Sequence, residues 1–429
     1  MSKISHLRKR LRDEYHKRNL PQAANLGDAL LVEHMTIQNS SPGYANDLFN
    51  VALVYDELGQ YEKAAAMYSA SARHISGNSF CGMQALDLFG ISESCHPALV
   101  IRYNNLAGAL AHMGDFEQAY NIYTAVRGIY TRMGHTTALT DNLYNMGNVA
   151  ADAYKTEDAL RLHGQALVRR KQEGVPEDIT HSLHSLAMIY EETGEYEKAI
   201  PFAETALEYT KGGAHASACN YLAELYAANG QYEKALEQYE NVLSEIAKSG
   251  CMRRDYMTVL SRRAYLTGKA GDPAEAIKLH EEVFDMYHSL TGLDLECIDS
   301  AFYPNCLRNM AVLNNSIGET ALAEDYMLKS IKSRKAAGEE IIRDVCFLIN
   351  LYLESDDYDK LSDIVVYALM HSSPMDTNAT ATIDALMESF SKAGSTHKLL
   401  EILAVIREAN CTEKLKSILD TWRQREGFL

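Results

Sequence analysis

One motif recurs along the chain and limits the folds open to it. LGQYEKAAAMY begins at Leu58, MGDFEQAYNIY at Met113, TGEYEKAIPFA at Thr193 and NGQYEKALEQY at Asn229. Each contains glycine, any residue, an aromatic, two polar residues and alanine. A small residue (Ala52, Ala107, Ala187 or Ala223) stands seven positions before each glycine, and Tyr55, Tyr190 and Tyr226 stand four before three of them. Apolar residues before the glycine recur at helical spacing, as in Leu183, Leu186, Ala187 and Tyr190. The pattern therefore predicts helix hairpins. Glycine supplies the left-handed residue that ends the first helix. The aromatic plugs the turn, and the alanine lets the second helix approach the first.

Seven turn glycines follow from this pattern: Gly59, Gly114, Gly194, Gly230, Gly271, Gly318 and Gly394. Tyr154 and Asp356 take the same place in two further units, giving steps of 55, 40, 40, 36, 41, 47, 38 and 38 residues. A degenerate hairpin over about Lys3 to Met35, turning near Asn19-Leu20-Pro21, precedes them, and a polar-faced helix at roughly Glu413 to Gln424 follows. The expected organisation is a hairpin cap over 1–40, a repeat array over 41–410 and a capping helix over 411–429. About ten helix pairs in one array replace the two or three domains that 429 residues suggest.

The repeats resemble the tetratricopeptide repeat family. The unit holding Ala52, Tyr55, Gly59, Tyr61, Ala64 and Tyr68 shows nearly its whole pattern. Most steps exceed its common period of about 34 residues. Asn104-Asn105-Leu106-Ala107, His96-Pro97-Ala98-Leu99 and the Ala199-x-Pro201 step resemble the kinesin-light-chain subtype. The resemblance implies an all-α, right-handed superhelix. Its aromatic positions account for 26 tyrosines against one tryptophan. Several units depart from the pattern. Arg263 stands at an apolar position, Pro273 replaces the turn aromatic, and Leu361 and Leu399 replace alanine. An apolar insert at about 77–95 is suited to an extra helix or to lying over the groove.

The resemblance also implies that the first helices line a concave face. Their inward positions hold Asn46, Asn50, Asn104, Asn105, Asn145, Asn148, Asn220, Asn305, Asn309 and Asn350. Asparagine is a mediocre helix former, so its recurrence needs a reason. A carboxamide both donates and accepts, and so pairs with a peptide backbone. Ties between repeats, or plain solvation, explain the same residues equally well. Arg262, Lys269, Arg308 and Arg343 form a basic stretch on that face, suited to an acidic partner group by bidentate pairing. Ordinary surface charge is the competing reading.

No nucleotide, hydrolase or zinc-protease motif occurs, so neither a cofactor nor catalysis is expected. His181 and His184 lie one helical turn apart, but two ligands alone specify no metal site. The eight cysteines form no C-x-x-C pair, which suits a reducing, cytoplasmic setting. The N-terminus lacks the apolar core of a secretory signal. The long uncharged apolar run of the C-terminal third, Ile364 to Met370, is too short to span a bilayer. A net charge of −17 disfavours broad nucleic-acid binding. Residues 1–18 run the other way, with seven Lys or Arg against two acids and an apolar stripe of Ile4, Leu7, Leu11 and Tyr15. That helix suits a docked cap, or contact with nucleic acid or an anionic membrane. The expected function is a non-catalytic scaffold or adaptor holding a peptide in its groove. A peptide-sensing regulator and an enzyme accessory subunit are the alternatives.

Overall fold

The computed structural model describes residues 3–36, 42–76, 97–249, 253–290, 299–371, 385–399 and 401–402. The insert at 77–95 and the capping helix at 411–429 lie outside them. The chain forms two compact units, Met1–Lys211 and Gly212–Leu429. Among the described residues each unit holds five helix pairs. The first unit contains α1 (Lys3–His16), α2 (Leu20–Thr36), α3 (Pro42–Glu57), α4 (Tyr61–Ser76), α5 (Pro97–His112), α6 (Phe116–Met133), α7 (Thr136–Asp152), α8 (Thr156–Glu173), α9 (Pro176–Glu192) and α10 (Tyr196–Leu207). The second contains α11 (Gly212–Ala228), α12 (Tyr232–Ser249), α13 (Arg253–Lys269), α14 (Pro273–Ser289), α15 (Phe302–Ser316), α16 (Thr320–Ala337), α17 (Ile342–Glu354) and α18 (Tyr358–His371). A helix at 385–392 and a turn of helix at 396–399 complete its fifth pair.

The turns follow the backbone chemistry of the motif. At Gly194, φ is 73°, and the Glu195 N–H reaches back to the Tyr190 carbonyl at 2.8 Å, closing the first helix with a left-handed cap. Tyr154 and Asp356 hold the same backbone with φ of 57° and 55°, although both are L side chains. The next aromatic (Tyr61, Phe116, Tyr196 or Tyr232) opens the second helix. In the seventh pair Pro273 takes that first helical position, which needs no N–H, and Asp272 caps the helix by accepting from the Glu275 N–H at 3.0 Å. Arg263 is half-buried there and lies 3.9 Å from Glu240. Leu361 and Leu399 are fully buried.

The core is a stack of seams rather than one deep interior, as a repeat array requires. Its small positions, Ala52, Ala107, Ala187 and Ala223, have no exposed surface. At the equivalent place in the fourth pair stands Gly147. A Cβ there would lie 2.7 Å from the His163 ring, so only glycine admits the imidazole. Helix α1 packs on α2 and is tied to α3. Arg8 binds buried Asp47 at 2.7 Å, Arg18 binds Glu57 at 2.6 Å, and Tyr15 also bonds Glu57.

Candidate functional site

Alternate first helices approach each other across the helix between them: α5 meets α7, α7 meets α9, and α13 meets α15. The first helices therefore form the inner layer of each unit, and their polar residues are the place to look for a site. Those residues divide into two sets.

One set ties repeats together. The residue twelve positions before the turn residue is Asp47, Arg102, Asn142, Ser182 or Asp344, and each of these is buried. Each reaches the second helix of the preceding pair. Asp47 lies 2.6 Å from His34. Arg102 donates to Ser71 at 2.6 Å and its guanidinium stacks 4.8 Å over Phe49. Asn142 donates to the Tyr123 carbonyl at 3.2 Å. Ser182 accepts from Arg170 at 2.9 Å. Asp344 accepts from Ser330 at 2.6 Å and from Arg334 at 3.2 Å. Pairing of this kind offsets the cost of burying a polar group.

Several expected groove residues belong to this tying set. Asn46 accepts from Arg102 at 2.7 Å, and Asn305 accepts from Arg334. The Arg308 guanidinium is committed to Asp344. Asn350 accepts from Ser389 at 3.0 Å. Asn220 donates to Glu224 at 3.1 Å, and Arg262 also pairs with Glu224. Asn105 bonds the Tyr68 hydroxyl. The expected basic stretch is therefore largely self-neutralised, with Arg343 left exposed and Lys269 lying 5.6 Å over the Tyr265 ring. Sequence reasoning did not find the buried ions at the tying position. The available signal was a charge inside an apolar stripe, as at Asp344 before Val345 and Leu348.

The second set is open. Asn104 on α5, Asn145 and Asn148 on α7, and Asn309 on α15 are half-buried and have no partner among the described residues. In the second unit a cavity of about 750 Å3 lies between α11 and α13, with α12 as its floor. Asn220 and Arg262 share its wall with Ser217 and Thr258, while Val242, Ile246 and Val259 supply apolar lining. Asn50 lines a smaller cavity of about 150 Å3 between α1 and α3.

His181 and His184 stand exposed on α9, and the described residues contain no group of three or more His, Cys, Asp and Glu suited to a metal ion. Burial pushes the Cys306 thiol up to about 11, which keeps it protonated and unreactive. No described helix is long and apolar enough to cross a membrane.

Paired helices with an inner polar layer define an α-solenoid of hairpin repeats. Models of the tetratricopeptide repeat family match the hairpins within residues 48–73, 136–211 and 215–289. No curated protein sequence matches the chain. Among solved structures, the apo form of RapI is 14% identical with a TM-score of 0.54, over 92% of this chain and 99% of that one. A signal transduction ATPase with a tetratricopeptide repeat sensor, from Pyrococcus horikoshii, is 17% identical with a TM-score of 0.50, over 76% of this chain and 47% of that one. BtubC (BKLC) from P. vanneervenii is 19% identical with a TM-score of 0.40, over 56% and 93%. The RapI and ATPase likenesses concern the fold.

Proposed function

We propose that the protein is a non-catalytic adaptor or scaffold that holds an extended segment of a partner protein against its inner helices. One observation carries this reading. Asn104, Asn145, Asn148 and Asn309 are half-buried carboxamides that no described residue of a neighbouring repeat uses. Half-burial withdraws such a group from water without satisfying it, and an incoming peptide backbone supplies both the donor and the acceptor it lacks. In the second unit, the cavity beside Asn220 and Arg262 offers a seat for a partner side chain. The partner is a protein or peptide. Because Arg308 is spent on Asp344, an acidic group on the partner would meet Arg343 or the Arg262–Glu224 pair.

The test uses the full chain to capture partners, identifies the bound segment by mass spectrometry, and measures the synthetic peptide by calorimetry. Asn145→Ala with Asn148→Ala is expected to weaken binding about tenfold, the loss of one or two net hydrogen bonds. It should leave the unfolding midpoint unchanged. Unchanged affinity, or crosslinks confined to the second helices, overturns the reading.

A further inference from the structure

Six rings gather where α14, α15 and α16 meet in the second unit. Phe284, Tyr287 and His288 come from α14, Phe302 and Tyr303 from the first turn of α15, and Tyr326 from α16. Tyr287 stacks on Tyr303 with ring centres 4.6 Å apart. Phe284 stacks on Tyr326 at 6.3 Å, joining the second helices of neighbouring pairs, and meets Tyr303 edge to face at 5.6 Å. Packing between repeats accounts for a buried ring, but none of these is buried. Five are half-buried and His288 is exposed. Leu322, one helical turn before Tyr326, is 47% exposed. An accessible apolar patch rich in tyrosine has the composition of a protein interface.

The charges beside the rings specify what the patch fits. Glu281, Phe284, Asp285 and His288 follow at i, i+3, i+4 and i+7, which puts them on one face of α14. Neither Glu281 nor Asp285 has a cation partner among the described residues. By contrast, Glu275 on the same helix pairs with Lys278 at 3.3 Å, and Asp325 on α16 pairs with Lys329 at 2.6 Å. Lys329 also places its ammonium 5.5 Å from the centre of the Tyr326 ring, so one cation already rests against the group. Aromatic faces attract cations, and unpaired carboxylates add a second attraction. Arginine satisfies both at once, because its planar guanidinium stacks on rings and forks onto a carboxylate. The net charge of −17 draws in a basic partner from a distance.

We propose that this patch binds an arginine-bearing segment of a partner protein. Its guanidinium groups pair with Glu281 and Asp285 and lie against the rings, and an apolar neighbour covers Leu322. None of these residues belongs to the proposed peptide contacts on the inner helices, so either reading can fail without the other.

The probe is a blocked peptide of alternating arginine and leucine, titrated by calorimetry into the full-length protein. A glutamate–leucine peptide of the same length is titrated in parallel. The expected result is one saturable site per chain for the arginine peptide and none for the glutamate peptide. Glu281→Gln with Asp285→Asn should weaken binding about fivefold, the loss of two exposed ion pairs. Leu322→Ser should weaken it by a similar factor. Glu117→Gln with Glu157→Gln, which removes the same charge from the first unit, should leave it unchanged, as should Asn145→Ala with Asn148→Ala. The four carboxylates and Leu322 are exposed, and an unchanged urea midpoint confirms folding of each variant. Equal binding of the glutamate peptide, equal binding by the Glu281 and Asp285 variant, an equal loss in either control variant, or no saturable site overturns the proposal.

Discussion

A side chain on the inner layer either holds two repeats together or stays open, and the two kinds respond differently to mutation. Asp344 has no exposed surface and carries two guanidinium groups, from Arg308 and Arg334, together with the Ser330 hydroxyl. Removing its carboxylate leaves two cations facing a low-dielectric seam. Taking one partner from a buried ion pair costs about 3–5 kcal/mol, mostly for the stranded charge. Asp344→Ala is expected to lower the stability of the second unit by that amount in urea unfolding. Asn309→Ala, the residue next to Arg308 on the same helix, is expected to change it by less than about 0.5 kcal/mol, since no described residue pairs with its carboxamide. If the two variants unfold at the same urea concentration, the division into tying and open residues is wrong. The same division means that Arg308→Ala probes the fold before it probes any partner.

At the scale of the helix pair, the turn residue decides how cleanly one helix ends and the next begins. Tyr154 takes a left-handed backbone with φ of 57° while 93% exposed, so its ring contributes no packing that offsets the strain. An L side chain in that region costs about 1–2 kcal/mol relative to glycine. Tyr154→Gly is therefore expected to raise stability by about 1 kcal/mol. Gly194→Ala, the reverse change at φ 73°, should lower it by a similar amount. Both are read from urea midpoints of the first unit, and a fall for Tyr154→Gly would remove the account.

This element scale is also where the sequence is most legible. Turn residues, small residues and aromatics are local, and their spacing alone located Tyr154 and Asp356 as turn positions without a glycine. Even the seventh pair, where Pro273 breaks the motif, keeps its register because proline suits a first helical position. The candidate site was less legible. The helical register places Asn46 and Asn145 alike on the inner layer. Only the fold shows that Arg102, 56 residues further on, occupies the first and that no described residue occupies the second. Pairing across seams depends on side chains distant in the chain, and periodicity carries no record of them.

For the whole molecule, one variation in the repeat sets an expected response to acid. Nine positions after the turn residue, the second helix buries a large ring: Tyr68, Tyr123 and Tyr239 in three pairs, but His163 and His280 in two others. His163 lies in the first unit and His280 in the second. Burial lowers both imidazoles to about 4, and the nearby Arg170 charge adds to the effect at His163. Neither ring nitrogen of His280 meets a partner among the described residues. An unfolded histidine takes up its proton near pH 6.5. Between that pH and about 4 the unfolded chain therefore binds a proton that the folded chain refuses. Stability is fully present above pH 6.5, falls as pH drops through this window, and levels off below it, by at most about 3 kcal/mol for each histidine. Urea unfolding at pH 7.5 and pH 5 checks the effect. His280→Tyr, which restores the residue of the sister repeats, is expected to reduce the loss in the second unit and leave that of the first unit unchanged. Equal pH dependence with and without His280 would show that its burial does not govern the acid response.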